Sequence, residues 1–180
     1  YQAALEGKIG RVPLLMSQFP YSGQAATFSA SYGITDSAAA GTCLASGKKT
    51  NNGMIGQTPD GEPAISVATQ LKSEGWGIGI MSSVPVDHAT PASHYAHAEK
   101  RYEYYKIGTH LTTSNFDFYG GGGFQSPINK EDASAPNLYD LTKEAGYTIV
   151  GSYQEAQQNI HAQKMLLVPQ SDLDNPSKGA

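Results

Sequence analysis

The alternation of short apolar runs with helical patterns is the feature that most constrains the fold of this chain. The apolar runs predict strands over residues 25–30, 77–81, 116–119, 147–150 and 165–168. Short apolar runs without strict alternation are typical of strands that are covered on both faces. Helical patterns lie between them, over residues 37–46, 64–73, 91–105 and 138–145. This alternation predicts an α/β fold, a layered sandwich with a mostly parallel central sheet flanked by helices.

Composition narrows the classes of protein further. The chain has 180 residues, with 12 Lys and Arg against 16 Asp and Glu, which gives a formal net charge of −4. An acidic balance argues against a nucleic-acid partner, because phosphate binding relies on a cationic surface. The single cysteine, Cys43, excludes an internal disulfide and a zinc site made of several thiolates. No apolar run approaches the roughly 18 residues that a membrane span requires.

Both ends of the sequence indicate a piece of a longer protein. The chain begins at Tyr1, its opening residues lack the layout of a secretory signal, and residues 169–180 are polar with Pro and Gly. We therefore expect a single partial domain over residues 1–180 that is truncated at both ends. Its core would lie at about residues 25–151, and the sequence leaves open how residues 152–180 join that core.

An Asp-Ser pair stands at the start of the predicted helix 37–46. Asp36 is a favoured N-cap residue, and Ser37 would be the first helical residue. A hydroxyl there lies at the positive end of the helix dipole, beside N–H groups without intrahelical partners. Such a position suits a bound phosphate and favours a serine oxyanion. Ordinary helix capping explains the same pair, so the pattern alone leaves both interpretations open.

Three further motifs follow in a fixed order. A Gly-x-Lys-x-x-x-Gly segment spans residues 47–53, and a His-Ala-Thr-Pro segment starting at His88 is followed by Arg101. The apolar run at 77–81 precedes the second motif, and the run FDFYGGGGF lies at 116–124. Together with Asp36-Ser37-Ala38, this order resembles the alkaline phosphatase family over about residues 28–124. The resemblance implies that family's fold and the hydrolysis of phosphate monoesters.

The resemblance also implies roles for individual residues. Ser37 would be the nucleophile, forming a phosphoserine intermediate that water hydrolyses. Arg101 would bind two phosphoryl oxygens through its planar fork, and Asp36 would orient Arg101. Thr90 would be a ligand in the magnesium site, with a hard oxygen donor. His88, where some relatives have aspartate, would lie near that site and the substrate, which leaves the identity of the third metal open.

The geometry of the predicted helix 91–105 limits how Arg101 could reach Ser37. Thr90 would be its cap and Pro91 its first residue. On one straight helix Thr90 and Arg101 would lie about 16 Å apart along the axis. We therefore expect the helix to break at about residues 98–100.

Metals and partners are implied by the resemblance alone. Family members use two zinc ions and one magnesium ion, and the zinc would lie beside Ser37. The family's upstream Gly-Asp-Gly and downstream Asp/His pairs have no counterpart here, so the zinc ligands are absent from this chain. We expect it to bind little zinc and to hydrolyse little by itself, because a serine hydroxyl without a metal or base is a weak nucleophile. The intact protein would be a periplasmic or extracellular homodimer.

Two other functions remain open at this stage. One is a phosphodiesterase of the same superfamily, and the other is a non-catalytic domain of the same fold that binds phosphate or a partner chain. A sulfatase would need a Cys/Ser-x-Pro-x-Arg context, which the sequence after Ser37 lacks.

Overall fold

The structure of the chain is a computed structural model that describes residues 15–174. The predictions for the two ends of the domain fall in large part on residues 1–14 and 175–180, which lie outside the described residues. In the C-terminal segment 169–180, which carries no helix signal in the sequence, Gln170–Asp174 forms a short helix. Among the described residues, none of the helices is long and apolar enough to cross a membrane.

The described residues form seven α-helices and four short strands after a 3₁₀ turn at Leu15–Gln18. In chain order they are α1 (Ser37–Ser46), α2 (Val67–Ser73), β1 (Gly79–Met81), α3 (Ala89–Ala92), α4 (Tyr104–Ser114), β2 (Phe118–Gly120), α5 (Leu138–Glu144), β3 (Thr148–Val150), α6 (Tyr153–Gln158), β4 (Met165–Leu167) and α7 (Gln170–Asp174).

The four strands form one parallel sheet in the order β1-β2-β4-β3. Ile80 pairs with Tyr119, Tyr119 with Leu166, and Leu166 with Ile149, so the strand centres lie in register. Tyr119 and Leu166 are fully buried, as expected for strands in the middle of a covered sheet. The α/β fold with a parallel sheet flanked by helices is thereby confirmed. β4 lies between β2 and β3, so residues 152–174 include a central strand.

The predicted strand over residues 25–30 is wrong. Residues 21–28 are exposed and form no ladder with any described strand. Instead, Ser29 N–H donates to Tyr32 O at 3.0 Å and Ala30 N–H donates to Thr50 O at 2.8 Å. Three of the six residues in this run are alanines. Alanine buries little apolar surface, so the run gains little free energy from lying in a covered sheet.

The predicted helix over residues 91–105 is also wrong in its extent. The helix α3 begins at Ala89 with His88 at the N-cap position, so Thr90 is its second residue and not its cap. It ends at Ala92, and a second helix begins only at Tyr104. The other predicted helices form within three residues of their expected bounds; α2 starts at Val67 because the Ser66 side chain caps it by accepting from Thr69 N–H.

The helix α1 carries the Asp-Ser pair, and its ends are fixed by local chemistry. The Asp36 side chain accepts a hydrogen bond from Ala39 N–H at 2.9 Å, which confirms its N-cap position. Gly47 ends the helix in a left-handed conformation (φ 71°) that glycine adopts without strain, and its N–H donates to Cys43 O. Gly41 lets α3 approach closely, since a Cβ there would lie 2.2 Å from Ser93 Oγ.

The glycine run after β2 forms a turn against the loop that leads to α3. Gly122 N–H donates to Val84 O at 3.0 Å, and Val86 N–H donates to Gly123 O at 2.8 Å. A side chain at Gly121 would place its Cβ 2.7 Å from Val84 O, which is too close for any other residue type. The turn therefore fixes the path of the chain from β1 to His88.

Candidate active site

Ser37 and Arg101 meet at the start of α1. Arg101 Nη1 donates to Ser37 Oγ at 3.2 Å and to Asp36 Oδ2 at 3.0 Å. Ser37 is exposed, whereas the Asp36 and Arg101 side chains are each 24% exposed. The structure thus brings the Arg101 guanidinium group to an accessible hydroxyl and a carboxylate that lie 64 and 65 positions before it in sequence.

Asp36 is held in its ionised form. Burial alone would raise the pKa of Asp36, but hydrogen bonds from the backbone N–H groups of Ala39 and Gly53, and from the Arg101 guanidinium, more than offset burial and lower it below its ordinary value. The carboxylate is therefore charged at neutral pH, and it orients Arg101 through a charge-assisted hydrogen bond.

Arg101 reaches Ser37 because the chain is not helical between α3 and α4. Ala98 forms an isolated antiparallel bridge with Ile55, with two N–H···O hydrogen bonds of 2.9 Å. The expectation that the helix ends before Arg101 is confirmed, although it ends at Ala92 and so earlier than expected. The Ile55 bridge ties the segment before Arg101 to the segment that follows the Gly47–Gly53 turn.

Thr90 and His88 lie at the start of α3. Thr90 is exposed on α3, and neither the Ser37 nor the Arg101 side chain forms a hydrogen bond with it. The His88 ring stacks on Tyr104 with centroids 6.2 Å apart. Burial, with the nearby Arg101 charge, lowers the pKa of His88, so its imidazole is neutral at neutral pH. A neutral imidazole can accept a proton or a metal ion.

These residues do not make up a complete metal site. No group of three or more His, Cys, Asp or Glu side chains suited to a metal is found within residues 15–174. Thr90 offers a hard hydroxyl oxygen and His88 a nitrogen that suits zinc better than magnesium. Two donors of different preference do not define the coordination of either ion.

Sequence reasoning missed Asp87, which supports the loop bearing His88. Its side chain is fully buried and accepts hydrogen bonds from Gln125 N–H at 2.8 Å and Ser126 N–H at 3.2 Å. Burial raises the pKa of Asp87 to about 6, although these hydrogen bonds favour the charged form. A carboxylate inside an apolar stretch was the available signal, but its partners are 38 and 39 positions away.

Sequence reasoning also missed Asn52, whose side chain contacts the backbone next to Ser37. Its Oδ1 accepts from Asp36 N–H at 3.2 Å. The glycine-bearing segment 47–53 pointed to this region, but no pattern singles out one of its two asparagines.

A cavity of about 310 Å³ opens next to His88. Its wall includes Tyr104, which stacks on His88, and it is also lined by Tyr102, Tyr105, Lys106, Ile128 and Lys130. The lining combines aromatic faces with charged side chains, so the cavity presents both apolar and polar surface next to the Arg101 segment.

Comparisons with known proteins assign the chain to a family. The family model for alkaline phosphatase matches residues 2–117, more than half of the chain. Alkaline phosphatase 4 of Bacillus subtilis (strain 168) is 37% identical over 134 residues, which are 71% of this chain and 28% of that protein. The tissue-nonspecific isozyme of Gallus gallus is 33% identical over 115 residues, 58% of this chain and 22% of that protein.

Solved structures extend the likeness to the fold. Alkaline phosphatase from the Antarctic bacterium TAB5 matches with a TM-score of 0.78 and 26% identity, over 93% of this chain and 49% of that one. A variant of the TAB5 enzyme with a histidine changed to glutamate, and with magnesium bound in its M3 site, matches with a TM-score of 0.76 and 25% identity, over 93% of this chain and 48% of that one. This chain thus spans about a quarter of the two curated relatives and about half of these structures. It belongs to the alkaline phosphatase family.

Proposed function

We propose that this chain is part of a phosphatase that hydrolyses phosphate monoesters through a phosphoserine intermediate on Ser37. One observation carries the proposal: Arg101 Nη1 lies 3.2 Å from Ser37 Oγ while the same atom is held by Asp36. The hydroxyl and the guanidinium group therefore face the same small volume at the start of a helix.

Phosphate binding would use Arg101 and the first turn of α1. The planar guanidinium fork can bind two non-bridging oxygens at once, which a lysine cannot do. The first N–H groups of a helix lack intrahelical partners and attract anions. The Asp36 carboxylate accepts a hydrogen bond from Ala39 N–H. The N–H groups of Ser37 and Ala38, which come earlier in the same turn, would bind the phosphate.

The reaction would proceed in two displacements at phosphorus. Ser37 Oγ forms a bond to phosphorus, the ester P–O bond breaks, and the alcohol leaves with a proton. Water then attacks the phosphoserine, the Ser37 Oγ–P bond breaks, and inorganic phosphate is released with the hydroxyl restored. Arg101 would hold the phosphoryl oxygens through both steps, where charge on these oxygens is stabilised by positioned donors.

The metals expected from the family, two zinc ions and one magnesium ion, belong to this proposal. The described residues do not compose a site for them, so no step above is assigned to a metal. Within the described part of the chain, the recorded partner of the Ser37 hydroxyl is Arg101, which is a donor and cannot act as a base. We therefore propose that the chain alone turns over little substrate. An exported, homodimeric full-length protein is proposed on the same family grounds.

A non-catalytic phosphate-binding domain is the second candidate. The lack of a hydrogen-bond acceptor for the Ser37 hydroxyl within residues 15–174 favours it. Isothermal titration of inorganic phosphate, with and without zinc, separates the two candidates. The titration is done on the full-length protein, because the chain alone is expected to turn over little substrate under either candidate. Metal-enhanced binding together with turnover supports the phosphatase, whereas binding that is independent of metal and without turnover supports the second candidate.

The nucleophile is tested by Ser37→Ala in the full-length protein. We expect this variant to lose the phosphoenzyme that is trapped by quenching the reaction at low pH, together with turnover. Ser46→Ala is the matched control, because Ser46 lies at the far end of the same helix and donates to Thr42 O. If Ser37→Ala keeps the turnover of the control, the proposed nucleophile is wrong.

A further inference from the structure

The loop that leads into Ser37 lacks the packing that fixes a loop by itself. Residues 31–34 are exposed and lie outside the helices and strands. Its two large apolar side chains, Tyr32 and Ile34, are 69% and 79% exposed. Little apolar surface is buried to fix the backbone of this loop, so its shape depends on hydrogen bonds.

Asn52 supplies three of these hydrogen bonds. Its Nδ2 donates to Ile34 O at 3.0 Å, and its Oδ1 accepts from Asp36 N–H at 3.2 Å. Its backbone N–H donates to Ser31 Oγ at 2.9 Å. The amide side chain thus bridges the two sides of the last turn before Ser37, using a donor and an acceptor at once.

Gly53, the residue after Asn52, binds the side-chain carboxylate of Asp36. Gly53 N–H hydrogen-bonds to the Asp36 carboxylate and contributes to its lowered pKa. Gly53 has φ 87°, a conformation that suits glycine. The turn at residues 51–54 therefore contacts both the backbone and the carboxylate of Asp36. This carboxylate also binds Ala39 N–H and Arg101.

We propose that Asn52 is a positioning residue for the nucleophile: its side-chain amide fixes the backbone of Asp36 and thereby the direction of Ser37 Oγ. This inference rests on the proposed function. Asn52 is exposed, so its hydrogen bonds compete with water and add little to the stability of the fold. The orientation of a reacting group is more sensitive, because a misplacement of about 1 Å can cost about 100-fold in rate.

The chain offers a matched control in the neighbouring asparagine. Asn51 lies in the same turn, and its side chain forms no hydrogen bond within the described residues, whereas its backbone O accepts from Met54 N–H. Asn51→Ala therefore removes an amide of the same size without touching the loop before Ser37. Asn52→Asp keeps an acceptor for Asp36 N–H and removes the donor to Ile34 O.

The test compares these variants in the full-length protein. We expect Asn52→Ala to lower kcat by about 10- to 100-fold relative to Asn51→Ala. Inhibition by inorganic phosphate should change less than about threefold, because the Asp36 carboxylate keeps its bonds to Ala39, Gly53 and Arg101. The melting temperature should match that of Asn51→Ala, and Asn52→Asp should have an intermediate kcat.

Hydrogen exchange provides a readout that does not depend on activity. The Asp36 amide should exchange faster in Asn52→Ala than in Asn51→Ala, while amides in β2 and β4 stay protected. Equal kcat in the two alanine variants, or a loss of melting temperature confined to Asn52→Ala with no change in Asp36 exchange, overturns the inference. If Ser37→Ala abolishes the phosphoenzyme and Asn52→Ala does not lower kcat, only the positioning role fails. If Ser37→Ala keeps turnover, the proposed function fails first.

Discussion

The two sides of the candidate site are held in different ways: hydrogen bonds and charges fix one, and close contact between two helices fixes the other. The Ser37 corner, made of Asp36, Ser37, Asn52 and Arg101, is partly exposed and connected by hydrogen bonds of 3.0 to 3.2 Å. Each of its polar groups is oriented by a hydrogen bond to another polar group. The geometry of this corner therefore depends on the charges and on the individual donor and acceptor atoms of these side chains.

The Thr90 corner, made of Gly41, His88, Thr90 and Ser93, is positioned by shape. Ser93 is buried against Gly41, and its hydroxyl donates to Ala89 O at 2.9 Å and to Thr90 O at 3.0 Å. The Thr90 side chain itself is exposed, and the packing of α3 against α1 decides where it lies. A change of one methyl group should therefore affect this corner more than a change of charge does.

The described residues contain all the side chains of the Ser37 corner but only part of a metal site at the Thr90 corner. The Ser37 corner holds its arginine, carboxylate and hydroxyl together within the described residues. The Thr90 corner presents two donors without a complete ligand set within the same residues. We therefore expect phosphate affinity to depend on the first corner and to be measurable on this chain, in contrast to turnover.

The largest expected effect comes from removing the guanidinium group of the Ser37 corner. Arg101→Ala should weaken the binding of inorganic phosphate by about 100-fold, because two charge-assisted hydrogen bonds are lost. Arg101→Lys should weaken it by about 10-fold, since an ammonium keeps the charge but not the fork. Isothermal titration measures both, with Lys106→Ala as the control, because Lys106 pairs with Glu103 instead. Equal affinities for Arg101→Ala and Lys106→Ala would contradict the assignment of Arg101.

A smaller effect is expected from adding one methyl group to the Thr90 corner. In Gly41→Ala the new Cβ would lie 2.2 Å from Ser93 Oγ and 3.2 Å from Ser93 Cβ, so the Ser93 hydroxyl must rotate out of its hydrogen bonds to Ala89 O and Thr90 O, or α1 and α3 must move apart. The overpacking cost of about 1–3 kcal/mol exceeds the gain of about 1 kcal/mol from replacing a helical glycine, and we expect a net loss of about 1 kcal/mol. Urea unfolding measures it.

Two variants sharpen this prediction. Gly77→Ala is the control, because no described atom lies within 4 Å of its added Cβ and its φ is not positive. It should be neutral or slightly stabilising, since alanine restricts the unfolded chain. Ser93→Ala in the Gly41→Ala background removes the closest atom and should recover part of the loss. Equal destabilisation by Gly41→Ala and Gly77→Ala would show that the helices do not depend on this contact.

Local chemistry explains what the sequence could predict. Asp36 and Gly47 mark the ends of α1 through a side chain and a φ angle that depend only on their neighbours. The strands β1 to β4 were each predicted within two residues, because their apolar runs are bounded by glycines or polar residues. The Asp-Ser pair is recognisable for the same reason, and the family resemblance implies Arg101 as its partner.

Contacts between distant segments explain what the sequence could not predict. Ala98 pairs with Ile55 in a bridge that is incompatible with a continuous helix over residues 91–105. The sequence of residues 91–105 does not predict this bridge, because its other half lies in a distant segment. Asn52 and Asp87 act on backbone groups 16 to 39 positions away, so their roles depend on the fold. The run at 25–30 has apolar composition but no strand partner among the described residues, and composition does not reveal the partner.

The smallest expected effect comes from a charge pair at the start of β2, which shares no residue with either corner. Lys72 Nζ contacts the Asp117 carboxylate at 2.7 and 2.8 Å, and Ile78 N–H donates to it at 2.7 Å. Burial alone would raise the pKa of Asp117, but these hydrogen bonds more than offset it and lower the pKa below its ordinary value of 3.8. The two side chains are 21% and 38% exposed, so screening by water limits the contribution to less than about 1 kcal/mol.

The pH dependence gives this last prediction its sign. Because the pKa of Asp117 is lower in the folded state, its carboxylate stabilises the fold above the unfolded pKa, and this contribution is lost as the pH falls through the folded pKa. Asp117→Asn should therefore be less stable than the parent at neutral pH and equally stable at strongly acidic pH, as measured by urea unfolding. Asp140→Asn is the control, because its 3.7 Å pair with Lys143 is 64% exposed on both sides and should show no such dependence. If the stability difference for Asp117→Asn persists unchanged in acid, the shape of the side chain, and not its charge, supports the start of β2. This region would then resemble the Thr90 corner more than the Ser37 corner.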